Sequence, residues 1–480
     1  MKIFKIHTGA LFLVLISAIT TKLNAQVVLP RVFSSDMVLQ QQKPLPIWGI
    51  AAAGEQVTVS FGKQVKKTNA DASGNWKVIL DPLIASDKPA TMVIKASNTI
   101  TLDNILVGEV WICSGQSNMQ YEMRKNSKVR KPDSLDKNSP VDEMDRAHDP
   151  AIRIFWVNQK NLRTTGNYLA KWELAQDSAL RSFSAAGYFF AKNLHQQLHV
   201  PIGVVCAAIS GSAIEPWIPE GAYAPIPYFQ HEGAFWKEGG KFYHSMIEPM
   251  APMSIRGFLW YQGEANMVES VSYAYKMEAL FKSWRSLWGD QTLPFYYVQI
   301  APYDYGKLIP GISPEKLPEF WEVQTMAQAI PNTGMIVITD LNDDAKELHP
   351  GYKWEVGKRL ALVALGKAYG KKVIYSGPMY KAMKVVGNKI ELEFTDTGSG
   401  LISKNGKPLD WFTIAGSNGK FVDAKAVIVG NKVIVSSPEV SAPTTVRFAW
   451  NQMAQPNLFN KEGLPAGPFR TDNPLKFTVN

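Results

Sequence analysis

The stretch EVWICSGQSN, residues 109–118, passes from an apolar segment directly into a polar turn. Its first half has the continuous apolar character of a strand that is buried on both faces, which is typical of parallel sheets. Its second half places Gly115 and Ser117 where that strand would end. The stretch therefore predicts an α/β domain, and it makes Ser117 a candidate nucleophile.

The segments that follow repeat this pattern of buried strands separated by helices. The further strand candidates are IRIFWVN (152–158), IGVVCAAIS (202–210), IRGFLWYQG (255–263), PFYYVQIA (294–301) and GMIVITD (334–340). The helix candidates are SAAGYFFAKNLHQQL (184–198), YAYKMEALFKSWRSLW (273–288), FWEVQTMAQAI (320–330) and KWEVGKRLALVALGKAYG (353–370). In the last of these, Val356, Leu360, Val363 and Ala364 recur at helical spacing. This alternation predicts a parallel sheet with helices on both faces.

Two regions of different character flank this α/β region. Short β-branched segments separated by turn residues occur before residue 106 (PLPIWGI, EQVTVSFG, NWKVILDPL, TMVIKASN) and after residue 371 (KVIYSG, KIELEFTD, AKAVIVGNKVIVSS, TTVRFAWN). We therefore expect an N-terminal β domain at 26–105, a catalytic α/β domain at 106–371, and a C-terminal β domain at 372–480. Both flanking regions are predicted to be β-sandwich-like.

Residues 1–25 are typical of a secretory signal peptide. Lys2 and Lys5 form a basic start, an apolar stretch follows, and Ala25 is a small residue suited to cleavage. Removal of this segment, which contains three lysines and no acidic residue, lowers the formal net charge from +9 to +6. We expect an exported protein, periplasmic or secreted, without membrane insertion. The basic residues form no runs, so nucleic-acid binding is not expected.

The chain of 480 residues has two cysteines, Cys113 and Cys206, and each of them ends an apolar run. This position favours buried thiols, although a disulfide between them remains an alternative in an exported chain. His195 and His199 are four residues apart on a predicted helix, but no third ligand lies near them. We therefore expect no metal and no cofactor. The sequence gives no indication of the oligomeric state.

Four loops follow the predicted strands and should meet at one edge of the sheet, because active sites of open parallel sheets lie at the carboxyl ends of the strands. They contain Gln116–Asn118, Gly211–Ala213, Gln262–Asn266 and Leu341–Pro350. A serine nucleophile needs a base, usually histidine. Of the seven histidines, His349 is the one that follows a parallel strand and precedes a helix.

An oxyanion also needs hydrogen-bond donors. The backbone N–H groups of Ser117 and Gly211 are two candidates. The side-chain amide of Gln262 is the third, with Asn266 as a weaker alternative.

Taken together, these loops resemble those of the sialate O-acetylesterase family of SGNH hydrolases, which are carbohydrate acetylesterases. The matching stretches are VGEVWICSGQSNMQYEM, GFLWYQGEAN and LHPGYKWEVGKRLA, with RVFSSDMVLQQQKPLPIWG and VRFAWNQMAQPNLFNKEGLPAGPFRTDNP outside the core. The resemblance covers nearly all of the chain after residue 25. It implies an SGNH-type, flavodoxin-like central sheet.

The resemblance also implies roles for single residues. Ser117 would attack the acetyl carbonyl to form an acyl-enzyme, and His349 would accept the serine proton and later activate water. Ser117 N–H, Gly211 N–H and the Gln262 amide would bind the oxyanion. Gln116, Asn118 and Asn266 would support the site. Glu264 would support it too, either by orienting its loop through hydrogen bonds or as a structural capping carboxylate.

The chain departs from the family pattern beside its histidine. SGNH hydrolases usually carry an aspartate three residues earlier, where this chain has Lys346, and this family often carries one two residues earlier, where it has Glu347. Glu347 is our first candidate for the acid that orients His349. Asp344, Asp343 or a backbone carbonyl are alternatives.

The resemblance points to 9-O-acetylated sialic acid as the substrate, and the mild positive charge favours an acidic sugar. Acetylxylan or another acetylated sugar is the alternative. Two further hypotheses are a glycosidase that uses the Glu264 and Glu347 carboxylates, which leaves the GQSN loop without a role, and a non-catalytic glycan-binding protein.

Overall fold

The computed structural model describes residues 26–129, 140–158, 162, 169–231, 239–343 and 345–480. The predicted signal peptide, residues 1–25, and one candidate acid, Asp344, lie outside the described residues. No helix within these ranges combines the length and the apolar composition that crossing a membrane requires.

The N-terminal region is built from short strands, as predicted. Its strands are β1 (Val38–Gln40), β2 (Leu45–Ile50), β3 (Gln56–Phe61), β4 (Gln64–Asn69), β5 (Asn75–Leu80) and β6 (Ser86–Lys95). Strands β2 and β5 form an antiparallel pair, and β3 pairs with both β4 and β6.

The central region contains a parallel sheet with one antiparallel edge strand. Its strands are β7 (Thr99–Gly115), β8 (Ile152–Val157), β9 (Trp172–Leu174), β10 (Ile202–Ala208), β11 (Gly257–Tyr261), β12 (Phe295–Val298) and β13 (Thr333–Ile336). They are arranged in the order β13-β12-β11-β7-β10-β8-β9, in which only the β8–β9 pair is antiparallel. All six strands predicted for this sheet are present.

The helices of the described chain cover both faces of the sheet, which confirms the predicted α/β fold class. They are α1 (Ser117–Gln120), α2 (Glu143–Arg146), α3 (Asp177–Arg181), α4 (Ala185–Leu198), α5 (Pro227–His231), α6 (Ser272–Trp288), α7 (Lys316–Met326) and α8 (Lys353–Lys367). Helices α4 and α8 share one hydrophobic core, and α6 and α7 share the other. Neighbouring residues of β7 alternate between the two cores, Ile112 in one and Trp111 in the other.

Strand β7 is the centre of this architecture. Its first part pairs with β6 and β1, and its second part lies between β10 and β11. The domain boundary predicted between residues 105 and 106 therefore falls inside one continuous strand, and the N-terminal β region shares this strand with the parallel sheet. Because the chain fills the β10 side of β7 before it crosses to the β11 side, the strand order reverses at β7, and the carboxyl end of such a strand is where open α/β sheets bind their ligands.

The C-terminal region consists of antiparallel strands around a core of its own. The strands are β14 (Met379–Val386), β15 (Lys389–Thr395), β16 (Leu401–Ser403), β17 (Phe412–Ala415), β18 (Val422–Asp423), β19 (Lys425–Val429), β20 (Lys432–Ser436), β21 (Thr445–Phe448), β22 (Leu458–Asn460) and β23 (Phe469–Arg470). A hairpin turn at Gly430-Asn431 joins β19 to β20.

One strand prediction in this region is wrong. The segment KVIYSG, residues 372–377, is not a strand, because its apolar side chains pack on the α-helical core instead of pairing. A Cβ atom at Gly366 of α8 would lie 2.2 Å from the ring of Tyr375, so the segment contacts the helix closely.

Both cysteines are free and fully buried. Cys113 on β7 and Cys206 on β10 are register partners on neighbouring strands, and burial raises the pKa of the Cys113 thiol. In this structure they are packed thiols, which was the first of the two expectations.

Candidate active site

The sharp turn after β7 places Ser117 at the carboxyl edge of the sheet. Gly115 has a φ of +138°, and a Cβ atom there would lie 2.1 Å from the backbone oxygen of Tyr261, so only glycine fits. The next N–H, that of Gln116, donates to the same oxygen at 3.0 Å. Helix α1 then begins at Ser117, whose side chain is half-buried.

His349 lies beside this serine, although 232 residues separate them in the sequence. Its Nε2 atom is 2.8 Å from Ser117 Oγ. Burial, together with the positive charges of Lys353 and Lys125, lowers the pKa of His349 to about 4. The imidazole is therefore neutral at pH 7 and able to accept the serine proton.

Hydrogen bonds hold the loop that carries His349 at its start and again just before the histidine. Asp340, at its start, receives two hydrogen bonds of 2.7 Å from the guanidinium of Arg359 on α8. Further along, Asn342 Nδ2 donates to the backbone oxygens of Pro302 at 3.0 Å and Glu347 at 2.9 Å. These contacts fix the loop between the sheet and α8.

The structure does not support Glu347 as the acid behind His349. The residue is exposed, and within the described ranges the His349 ring forms no ion pair with a carboxylate. The Glu347 backbone oxygen accepts a hydrogen bond from Asn342 Nδ2 at 2.9 Å, which holds this part of the loop. Asp343, also exposed, accepts a hydrogen bond from the Tyr352 hydroxyl instead.

The loop that contains Gly211 is attached to the nucleophile loop. Ile209 N–H donates to the Gly115 oxygen at 3.1 Å, and the Ser210 N–H and hydroxyl both donate to Gln120 Oε1, at 2.7 and 2.8 Å. Gly211 has a φ of +72° and is exposed. The loop thus presents its backbone at the same edge of the sheet as Ser117.

Gln262 is not placed as an oxyanion donor. Its side chain is fully buried, and its Nε2 atom donates to Gln116 Oε1 at 3.0 Å, Asn266 Oδ1 at 2.8 Å and the Ser212 oxygen at 3.2 Å. The amide that would have to reach the oxyanion is therefore occupied beneath the loops. Gln262 and Gln116 join the nucleophile loop to the loop after β11.

Asn266, the weaker donor candidate, is also turned inward. Its Oδ1 atom accepts from Ile214 N–H at 3.0 Å, and its Nδ2 atom donates to Glu215 and Glu269. The ammonium of Lys276 on α6 binds both of these carboxylates. Asn266 therefore anchors the loop after Gly211, which is a supporting role.

Asn118 is the third polar residue of the GQSN turn, and it joins the half-buried Glu264 to the buried Lys353. Its Nδ2 atom donates to Glu264 Oε1 at 2.5 Å, and its Oδ1 atom accepts from Lys353 Nζ at 2.6 Å. Burial raises the pKa of Glu264 and lowers that of Lys353 to about 7. Glu264 thus holds the nucleophile loop by a hydrogen bond. Of its two expected roles, this is the one of orienting the loops of the site.

The sequence interpretation missed Lys353. A signal was available, because Lys353 lies three residues before Val356 and seven before Leu360, on the face of α8 that the apolar periodicity predicts to be buried. A lysine at such a position needs a specific partner. Among the described residues, no group of three or more histidine, cysteine or acidic side chains is arranged to hold a metal ion.

Comparisons with known proteins point to one family of enzymes. Residues 107–366 match the family model of carbohydrate esterases described as sialic acid-specific acetylesterase. The sialate O-acetylesterases of Homo sapiens and Rattus norvegicus are 26% and 27% identical to the chain, with 91% and 90% of this chain and 91% and 92% of theirs covered. The crystal structure of a carbohydrate acetylesterase from Xanthomonas citri superposes with a TM-score of 0.82 at 34% identity, over 93% of this chain and 100% of that one.

The resemblance inferred from the loop motifs is thereby confirmed over more than the central sheet. The alignments span the flanking β regions as well as the α/β region. The chain therefore belongs to the sialic acid-specific acetylesterase family of carbohydrate esterases, and it is a carboxylic ester hydrolase.

Proposed function

We propose that this esterase removes the acetyl group of 9-O-acetylated sialic acid through an acyl-enzyme on Ser117. The observation that carries the mechanism is the 2.8 Å contact between His349 Nε2 and Ser117 Oγ. It joins a neutral base to the hydroxyl of a half-buried serine, which is the arrangement that activates a serine nucleophile.

In the first half of the reaction, Ser117 Oγ attacks the acetyl carbonyl carbon and its proton moves to His349 Nε2. The Ser117 and Gly211 N–H groups donate to the oxyanion of the tetrahedral intermediate. The bond between the acetyl carbon and the sugar oxygen then breaks, and the sugar oxygen takes the proton from His349. Acetyl-Ser117 remains.

In the second half, His349 takes a proton from water as the water oxygen attacks the acetyl carbon. A second tetrahedral intermediate collapses, the bond to Ser117 Oγ breaks, and the serine recovers its proton from His349. Acetate leaves. Rapid quenching with an aryl acetate should therefore reveal a burst of alcohol release and a Ser117 peptide that carries one acetyl group.

An exposed cation near the nucleophile turn favours an acidic sugar. Lys125 is exposed, its charge acts on His349, and it forms no ion pair with a carboxylate in the part of the chain that is described. Its Nζ lies 5.1 Å from the centre of the Tyr121 ring, close to the nucleophile turn. A carboxylate such as that of sialic acid would find an opposite charge there.

The substrate is tested by comparing acetate release from 9-O-acetylated sialic acid and from acetylated xylo-oligosaccharides, with Ser117→Ala as the blank. We expect kcat/KM to favour the sialic acid ester by about 10-fold or more. A preference for the xylo-oligosaccharides, or equally slow reaction of both, would overturn the substrate assignment. Membership of an esterase family leaves the carboxylate-pair glycosidase and the non-catalytic glycan-binding protein without support.

We also propose that the protein is exported after cleavage of residues 1–25. The basic start and apolar stretch of this segment support the proposal. Fractionation of the native cells followed by N-terminal sequencing should give an exported protein that begins at Gln26. An unprocessed chain in the cytoplasmic fraction would overturn it.

A further inference from the structure

Helix α8 begins with a lysine whose ammonium group is enclosed by protein. Lys353 is 0% exposed, and it forms no ion pair with a carboxylate of the described residues. Its Nζ donates to Asn118 Oδ1 at 2.6 Å and lies 5.0 and 4.9 Å from the ring centres of Tyr121 and Tyr261. Enclosing an ammonium in this way costs free energy that only specific contacts recover.

The ammonium fixes which way the Asn118 amide points. An ammonium can only donate, so the amide oxygen must face Lys353. The amide nitrogen then faces two acceptors, Glu264 Oε1 at 2.5 Å and the backbone oxygen of Leu348 at 3.1 Å. The reversed amide would set two donors against each other on one side and place acceptors together on the other.

This orientation connects the two reacting residues. Asn118 directly follows Ser117, and Leu348 directly precedes His349. The hydrogen bond from the Asn118 amide nitrogen to the Leu348 oxygen therefore links the nucleophile turn to the histidine loop beside the contact of Ser117 Oγ with His349 Nε2.

We propose that Lys353 is a positioning residue for acetyl transfer: it holds the Asn118 amide in the one orientation that joins the nucleophile turn to the His349 loop, and it places a positive charge near that loop. The inference rests on the proposed function, because it concerns the same serine and histidine. Lys353 itself touches neither the ester nor the attacking oxygen.

Lys353 carries its positive charge in the pH range in which His349 titrates. Lys353 has a pKa of about 7, so it is protonated where His349 titrates, and it is the second cause, after burial, of the lowered His349 pKa. Loss of the charge should raise the His349 pKa toward its ordinary value of 6.5. The titratable groups that face Lys353 are Glu264, Tyr121, Lys125, Tyr261 and His349.

Two substitutions separate the two effects. Lys353→Met removes both the donor and the charge, whereas Lys353→Gln removes the charge and keeps an N–H donor for Asn118. Lys358→Met is the matched control, since Lys358 lies on the same helix with a side chain that is 54% exposed. The assay is the pH profile of 4-nitrophenyl acetate hydrolysis, with thermal unfolding measured on every variant.

We expect Lys353→Met to lower kcat by roughly 100-fold, because a small misplacement of reacting groups costs about this much. Both Lys353 variants should move the acid limb of kcat/KM upward by about 1 pH unit. Lys353→Gln should retain most of kcat, and Lys358→Met should match the parent enzyme. If Lys353→Met does not fold, the acid limb of Lys353→Gln decides the question.

An unchanged acid limb overturns the inference even if kcat falls, because a purely structural lysine would lower activity without altering the His349 pKa. Unchanged kcat and acid limb overturn it as well. The proposed function is tested separately by Ser117→Ala in the same assay. If that variant keeps its activity, the proposed function fails; if it is inactive while the Lys353 variants behave like the parent, only this inference fails.

Discussion

Two carboxylates at opposite ends of the central sheet have very different hydrogen-bond partners. Glu109, near the amino end of the parallel part of β7, is 0% exposed and receives five hydrogen bonds, two from Arg256 at 2.7 and 2.8 Å and one each from Gln40, Gln41 and Tyr369. Glu264, at the carboxyl end, has the Asn118 amide as its side-chain partner, and its Oε2 atom is buried without a partner in the described structure.

The surroundings of Glu109 are those of a stabilising residue, whereas the surroundings of Glu264 are those of a reactive site. At the amino end, opposite charges meet directly and every oxygen is satisfied, which is what a structural ion pair requires. At the carboxyl end, Asn118 stands between the acid and Lys353, and both groups have pKa values displaced toward their neutral forms. Such unsatisfied, shifted groups are typical of functional sites. Variants at the two ends should therefore change different measured quantities.

The largest effect is expected from Ser117→Ala. Because the nucleophile is lost, kcat for acetate release should fall by at least ~10⁴-fold, while the thermal unfolding midpoint stays within about 2 °C. Acetate release by the purified variant, measured beside its melting curve, checks both. Residual activity above one per cent of the parent would show that Ser117 is not the nucleophile, and the carboxyl end of the sheet would then not be the reactive end.

Glu109→Gln should do the reverse. It leaves the mostly buried Arg256 without an anion, which should lower the free energy of unfolding by about 3 kcal/mol. The kcat of the folded enzyme should be unchanged, because Glu109 lies at the far end of β7. Chemical denaturation and initial rates measure the two quantities.

Lys66→Gln provides the control, since it breaks the ion pair between Lys66 and Asp81. Both side chains are partly in solvent, with exposed fractions of 35% for Lys66 and 68% for Asp81. Its effect on unfolding should stay below about 1 kcal/mol. If Glu109→Gln proved no more destabilising than this control, the structural interpretation of the amino end would be wrong.

The two ends also differ in how much of them the sequence could predict. The strands of the sheet are long apolar runs, so their number and direction followed from local pattern, and Ser117 and His349 followed from their positions at strand ends. The orientation of Gln262 could not, because its amide nitrogen is fixed by acceptors from three different loops. Lys353 was missed because helix-start lysines are ordinarily exposed.

The same limit applies to the acid expected behind His349. A spacing of two residues suggested Glu347, yet spacing in an irregular loop does not fix where a side chain points, and Glu347 is exposed. Regular elements transmit their geometry through periodicity, and loops do not. Site residues on loops could thus be named from sequence but not oriented.

A moderate effect is expected in the pH dependence of the parent enzyme. His349 must be neutral to accept the serine proton, and its pKa is lowered to about 4, chiefly by burial. The value of kcat/KM should therefore not decline as the pH falls from 8 to about 5.5, a range in which Lys353 gains its charge, and should decline only near pH 4. Initial rates in buffers of constant ionic strength test this, and a decline centred near 6.5 would mean that the carboxyl end is more solvated than this structure implies.

The smallest effect should come from the exposed cation at the carboxyl end. Lys125 and Lys353 lie over the same Tyr121 ring, at 5.1 and 5.0 Å from its centre, yet Lys125 is exposed while Lys353 is enclosed. Because a charge in solvent contributes little, Lys125→Met should raise KM for 9-O-acetylated sialic acid by only about 3- to 5-fold. KM for an uncharged acetylated sugar should not change, since that substrate has no anion to lose.

Lys128→Met is the matched control, because Lys128 is exposed on the same short helical segment, Met123–Lys128. Salt should erase the difference between Lys125→Met and the parent, because an exposed charge is screened at high ionic strength. Equal increases in KM for the charged and the uncharged ester would instead place Lys125 among the residues that shape the site. The contrast between an exposed, substrate-facing cation and an enclosed, positioning one would then no longer hold.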